Sequence, residues 1–258
     1  MTAPSLSVLI VARNEEQHLA DCLASAGFAE ERVVILDRST DRSAEIARAA
    51  GARVIEGGWP LEGERREAGL AACTGDWILE LDADERITPE LAGEIRRRLT
   101  DPAFDYYLIG LRNHIGGVWV RHGWGAYNGV GAKNSLFRRG HKVWGAGEVH
   151  PRIDLKGKGG RMEAEMLHYV YRDVAAMIQR LNRYSSAAAL DLAARSDLPR
   201  PRTTFRRAFS RFYKAYWHRK GYREGWRGVA LALFSGLYPV LTHIKALELR
   251  EQAAKKRG

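Results

Sequence analysis

The chain has 258 residues, 45% of them hydrophobic, and a formal net charge of +10, which provides for a real core and excludes global disorder. The charge is uneven: Arg195 to Gly258 holds 16 Lys/Arg against 4 Asp/Glu, so a near-neutral body carries a basic tail suited to a polyanion, either nucleic acid or an anionic membrane surface. Two cysteines, Cys22 and Cys73, exclude a disulfide framework and a cysteine zinc site and read as buried thiols in a reducing cytoplasm. Met1 to Ser7 is short and polar and predicts no secretory signal.

Leu6 to Val11 is an apolar run of strand length and predicts a buried first strand. Ala12 to Glu16 leaves it and opens a helix with Leu19, Cys22 and Leu23 on one face; Asn14 is the expected N-cap and Gly27 the stop. Val33 to Leu36 predicts a second strand with Asp37 to Asp41 as its exit turn. The helix that follows stops at Gly51. Arg53 to Ile55 predicts a third strand, and Glu64 to Cys73 a helix. Strands alternating with helices at this spacing predict an α/β fold with a mostly parallel sheet and right-handed crossovers.

In Thr74 to Glu85 the apolar Trp77, Ile78, Leu79 and Leu81 predict a buried strand, and Asp82, Asp84 and Glu85 follow its end. Open α/β sheets bind ligands beyond the carboxyl ends of their strands. Three carboxylates there repel one another, and a divalent cation sharing its shell with substrate phosphates is a fitting partner. In an extended D-x-D, Asp82 and Asp84 point to one side. The stretch reads as a metal–diphosphate site, or as a solvated acidic loop whose Glu85 favours the next helix N-terminus.

Thr88-Pro89-Glu90 starts that helix, and Arg96, Arg97 and Arg98 complement the dipole at its end. Tyr106 to Leu111 predicts another strand, and Gly116 to Gly147 irregular β structure around a site. Asp173 caps a long helix in which Val174, Met177, Ile178, Leu181 and Tyr184 form a core-facing stripe. Pro199 and Pro201 mark a break between a body, 1–198, and a tail, 199–258. The tail interleaves Phe205, Phe209, Tyr213 and Trp217 with Arg and Lys, and Gly228 to Ile244 then carries no formal charge. That run is slightly short for a bilayer span, and Gly236 and Pro239 interrupt it. An interfacial or re-entrant helical hairpin on an anionic membrane is expected rather than a span. A helix pair packed on the body is the other reading.

Four stretches carry a resemblance: V-L-I-V-A-R-N-E-E at Val8 to Glu16, L-D-R-S-T-D at Leu36 to Asp41, T-G-D-W-I-L-E-L-D-A-D-E at Thr74 to Glu85, and E-V-H at Glu148 to His150 with L-H-Y at Leu167 to Tyr169. In this order the chain resembles the inverting glycosyltransferases of family 2, and among them the bacterial subgroup that adds sugars, often glucose, to the lipopolysaccharide inner core. The similarity runs from about Ser5 to Arg195. It implies the GT-A nucleotide-diphospho-sugar transferase fold with a C-terminal helical extension. It implies a nucleotide-sugar donor, a UDP-sugar first among them, with Mg²⁺ or Mn²⁺ as cofactor. The acceptor implied is a lipid-linked saccharide and not a nucleic acid, on a cytoplasmic enzyme peripheral to the inner face of the inner membrane.

By the same resemblance, Ala12, Arg13, Asn14 and Glu15 pack against the nucleoside, Asp37 accepts from the base, and Arg66 contacts phosphate. Uracil and guanine both offer Asp37 an N–H. Asp84 holds the metal, with Asp82 beside it or turned to the ribose or donor sugar, and His168 completes the shell. Glu148 is the candidate base for the acceptor hydroxyl, and His150 and Trp124 are candidate acceptor contacts. Two positions depart from the family pattern. Leu36 replaces a first acid before Asp37. Glu67 stands where Asn is usual, and a carboxylate there opposes a phosphate contact by Arg66. Two alternatives stand beside this reading: transfer to a polyprenyl phosphate, and a nucleic-acid-binding protein using the aromatic tail, which the apolar run Val229 to Leu241 argues against.

Overall fold

A computed structural model describes residues 4–125, 128–145 and 152–255. In chain order the elements are β1 (Leu6–Ala12), α1 (Leu19–Ser25), β2 (Glu31–Asp37), α2 (Ser43–Ala49), β3 (Arg53–Gly57), α3 (Glu62–Ala72), β4 (Trp77–Asp82), β5 (Glu85–Arg86) and α4 (Pro89–Thr100). They continue with β6 (Tyr106–Ile115), β7 (Val118–Trp119), β8 (Ala132–Arg138), β9 (Lys142–Trp144), β10 (Ile153–Leu155), β11 (Gly159–Tyr171), α5 (Val174–Ala193), α6 (Pro201–Tyr213) and α7 (Gly225–Lys255). A π-helical turn, Lys214–His218, and a 3-10 turn, Gly221–Glu224, lie between α6 and α7.

The main sheet runs β3-β2-β1-β4-β8-β6-β11-β5, with β7 beside β6, and β9 pairs separately with β10. Its first four strands are parallel, as the βα alternation predicts. Beyond β4 the β4–β8, β8–β6 and β11–β5 pairings are antiparallel, so the sheet is mixed rather than mostly parallel. Every residue of β1 is buried. Val8 and Ile10 join Leu79, Leu81, Leu19 and Leu23 on one face, and Leu9 and Val11 join Ile35 and Ile78 on the other. Burial on both faces is what a continuous apolar run needs. Gly69 lets α3 lie close on the sheet: a Cβ there would stand 2.6 Å from Leu9 Cδ1.

The chain folds as two compact units, one of Met1–Arg112 with Ala132–His168, the other of Asn113–Gly131 with Tyr169–Gly258. The break at 198/199 falls inside the second unit, because α5 packs along α7. In α5, Asp173 caps Ala176 N–H at 2.7 Å, and Met177 and Leu181 are buried. Val174 and Ile178 are exposed, because the face that α5 buries continues through the small Ser185 and Ala189. α7 is continuous through Gly236 and Pro239, where a hairpin is the sequence expectation. Gly236 lets α7 lie close on α6, since a Cβ there would lie 3.1 Å from Ala208 O. Proline costs a helix about 3 kcal/mol, which the burial of Leu231, Ala232, Phe234 and Ala246 offsets.

Candidate active site

Val11 pairs with Asp82 and Ala12 with Leu36. Ala12, Asp37 and Asp82 therefore emerge together at the carboxyl ends of three neighbouring parallel strands. Beyond Asp82, Ala83 and Asp84 form a turn into β5, closed by the Asp82 N–H donating to Glu85 at 2.8 Å. The D-x-D is a turn and not extended, and its two acids have different partners. β5 pairs antiparallel with β11, with Glu85 opposite His168. This register sets His168 Nε2 3.5 Å from Asp84 Oδ2. Burial works against a charged His168 imidazole, but the Asp84 hydrogen bond and the Asp84 and Glu85 charges together outweigh it and raise the pKa above the ordinary value.

Asp82 accepts from Arg66 at 3.0 Å and from Lys133 at 3.1 Å, one on each oxygen. Lys133 also bonds Glu85 at 2.6 Å. Arg66 reaches Glu62 and the buried Glu80, and Lys142 reaches Glu80 at 2.6 Å. Burial opposes ionisation of Asp82, yet Lys133 and Arg66 hold it well below the usual carboxylate range. Glu80 is likewise depressed, with Lys142 and Arg66 overcoming its burial. Glu85 differs: burial dominates, Lys133 only partly relieves it, and its pKa is pushed up to about 7. Its Oε1 is buried and has no hydrogen-bond partner among the described residues.

Among the described residues, no three or more His, Cys, Asp or Glu side chains converge to hold a metal. Asp84 and His168 do fit a small divalent cation that draws the rest of its shell from a diphosphate and water. Asp82, expected beside Asp84, has both oxygens on cations.

Next to this edge, Arg13, Asp37, Arg38, Trp59, Leu61 and Arg65 line a cavity of about 200 Å³. Asp37 accepts from Trp59 N–H at 3.1 Å and Arg38 Nε at 3.1 Å, with Arg65 at 3.5 Å. Burial opposes its charge, but these donors hold its pKa below the ordinary value. Asn14 does not cap α1, whose N-cap position is His18. Its φ is +55°, a conformation Asn tolerates better than most residues. There its side chain accepts from Thr40 N–H at 2.8 Å and its own N–H donates to Ser39. Glu15 N–H donates to Ser43 at 3.0 Å. The Ala12 to Glu15 segment is thus stitched to the exit of β2, beside the cavity.

Glu67 accepts from the backbone N–H of Trp144 in β9, so its carboxylate serves that hairpin. Arg66 is held by three carboxylates and lies under the Trp144 ring, 4.6 Å from its centroid. Trp124, in the second unit, stacks on Tyr171 with centroids 6.5 Å apart and donates to Val120 O at 2.6 Å; this is packing within that unit. Glu148 and His150 lie outside the described residues. Both cysteines are buried, and burial pushes each thiol up to about 12. Sequence reasoning missed Lys133, Trp59, Arg65 and Lys142. One signal existed: an acid at Glu80 inside an apolar strand requires a buried cation.

Residues 7–149 match the family Glycosyl transferase family 2. The chain belongs to that family. Among relatives of this transferase, the lipopolysaccharide core biosynthesis glycosyltransferase LpsC of Rhizobium meliloti (strain 1021) is 25% identical over 93% of this chain and 91% of its own length. A TPR repeat-containing protein of Synechococcus elongatus is 38% identical over 38% of this chain, and the chain spans only 25% of that protein. Among solved structures, glucosyl-3-phosphoglycerate synthase from Mycobacterium tuberculosis, in complex with Mn²⁺, UDP and glucosyl-3-phosphoglycerate, has 26% identity and a TM-score of 0.37 over 44% of this chain and 45% of that one.

Proposed function

We propose that this glycosyltransferase moves a hexosyl group, glucose foremost, from a UDP-sugar to a lipid-linked saccharide of the lipopolysaccharide core, with inversion. It works at the cytoplasmic face of the inner membrane. The observation that carries the donor half is the β5–β11 register, which sets His168 beside Asp84, on the turn leaving β4, whose end lies at the same edge of the sheet as Asp37. The likeness to LpsC along nearly the whole chain supports the acceptor half.

Asp84 and His168 would hold Mg²⁺ or Mn²⁺, which when bound neutralises negative charge growing on the departing diphosphate. Asp37 accepts from the base N–H, and Arg13, Arg38 and Arg65 bring positive charge to the nucleotide. Asp82, fixed between Arg66 and Lys133, offers a rigid acceptor to a ribose or sugar hydroxyl. Glu148 takes the proton of the attacking hydroxyl on the face opposite the leaving group, and a single displacement with that geometry inverts the anomeric carbon.

Thermal denaturation with UDP, GDP, CMP and dTDP, each with and without Mn²⁺, tests the donor half. Only UDP with Mn²⁺ should raise the melting temperature strongly, by the equivalent of about 2.7 kcal/mol at a hundredfold excess over Kd. Equal shifts for all four nucleotides would contradict the UDP assignment. Analysis of the linkage formed on a truncated core acceptor tests the rest; a product of retained configuration, or none on any lipid-linked saccharide, would overturn it.

A further inference from the structure

The second unit carries an unpartnered aromatic edge. Phe205, Phe209, Tyr213 and Trp217 recur at every fourth residue and are each more than half exposed, Phe209 at 71%. Phe209 and Tyr213 stack at 6.4 Å and Tyr213 and Trp217 at 6.1 Å, the latter nearly parallel. In an α-helix such a series drifts by about 40° at each step. The chain widens to a π-helical turn at Lys214–His218, which offsets the drift and keeps Trp217 on the ladder. Arg202 and Arg206 are exposed among these rings, and Arg207 and Lys214 flank them. The opposite side of the segment, at Thr204 and Ala215, is buried.

α7 has the same two-sidedness. Trp226, Val229, Leu233, Leu237, Ile244 and Leu247 are exposed at helical spacing along one face. No Asp, Glu, Lys or Arg occurs between Arg227 and Lys245. The other face, with Leu231, Ser235, Thr242 and Ala246, is buried. The helical segment is long and apolar enough to cross a membrane by length and composition. A helix with one face buried in protein and one bare is instead built to lie along an interface.

We propose that the α6 ladder and the bare face of α7 dock together, in plane, on an anionic bilayer surface. The rings and aliphatic side chains enter the headgroup–acyl boundary, and the arginines and lysines meet lipid phosphates. A second copy of the chain, docked through the same patch about a two-fold axis, would bring a second set of these arginines into the interface with no acidic partner among the ladder residues. Single-stranded nucleic acid would use the rings and arginines but leave the α7 stripe in water. Docking deepens the reading of a lipid-linked acceptor, and vesicle binding is read without donor or acceptor, so the two fail separately.

The test uses the full chain, sedimented with phosphatidylcholine vesicles and with vesicles also containing phosphatidylglycerol. Anionic vesicles should bind at least roughly tenfold tighter at low salt, less so at high salt. Phe209→Ser with Trp217→Ser, and separately Leu233→Ser with Leu237→Ser, should each weaken binding about tenfold or more, the loss of two buried apolar side chains. UDP binding should stay unchanged, and because Leu233 and Leu237 are only 47% and 37% exposed, a far-UV circular dichroism spectrum like the wild type's, read below each variant's melting temperature, shows that the pair still folds. Wild-type vesicle binding by either pair would overturn the proposal. So would ladder variants that dissociate a dimer, or that lose oligonucleotide binding, while vesicles bind as before.

Discussion

Replacing Lys133 by Met leaves Glu85, 1% exposed, with no cation at bonding distance among those that now hold it. The sign of the pH effect follows from Glu85. Its folded pKa, about 7, lies above the ordinary 4.5, so the folded state binds more protons and stability falls as pH rises between those values, by roughly 3 kcal/mol in all. Without Lys133 the folded pKa climbs further, and the decline continues above pH 7, where the wild type has levelled off. At pH 8, one unit above the wild-type value, this linkage costs the variant up to about 1.4 kcal/mol, and with the lost Asp82 contact the variant should be about 2 kcal/mol less stable. That lowers the melting temperature by about 2–4 °C for each kcal/mol. At pH 5 Glu85 is largely protonated in the fold, and only Asp82 loses a partner. Asp82 has 37% of its side chain exposed, so about 1 kcal/mol or less is expected there. Urea unfolding at both pH values, in EDTA, measures the difference, and adding Glu85→Gln should restore most of the loss at pH 8. A penalty equal at pH 5 and pH 8, or no rescue by Glu85→Gln, would refute the reasoning.

Glu80→Gln leaves Arg66 and Lys142 facing a neutral amide and should cost about 3–5 kcal/mol at pH 7. The Glu80 carboxyl is depressed, so its contribution is present above the unfolded value and lost as pH falls through the folded one; the variant should show a flatter acid limb in a melting-temperature profile below about pH 4. Glu67→Ala frees Trp144 of β9, from which the chain runs on to Glu148, and should slow transfer roughly tenfold to a hundredfold by misplacing that segment. UDP affinity, measured calorimetrically, should stay unchanged. Glu148→Gln should lower the transfer rate about 10²–10⁴-fold in a donor-saturated assay, again with donor affinity intact; a loss of donor binding would remove Glu148 from the role of base.

The parallel half of the sheet is legible because β1, β2 and β4 are apolar runs buried on both faces. The caps at Thr88 and Asp173 are legible because their partners lie three residues away. Asn14 is misread from local pattern because its partner, Thr40, is 26 residues on, and that bond wins over a cap on its own helix. The turn at Asp82 to Glu85 is hidden for the same reason: pairing with β11, more than eighty residues later, bends the strand. Asp84, Asp37 and His168 are reached through family motifs. Lys133, Trp59 and Arg65 belong to no motif and come to the site only by folding. The continuity of α7 through Pro239 likewise depends on burial against its neighbours, which local helix signals do not carry.

The central claim is that Asp84 and His168 together bind a divalent cation with the donor diphosphate. Calorimetry of UDP binding with and without Mn²⁺, on wild type, Asp84→Asn and His168→Ala, tests it most directly. Mn²⁺ should tighten UDP binding at least roughly tenfold in wild type, about 1.4 kcal/mol. Each variant should lose that gain while keeping the metal-free affinity set at the Asp37 cavity. A Mn²⁺-dependent gain that survives in Asp84→Asn would contradict it.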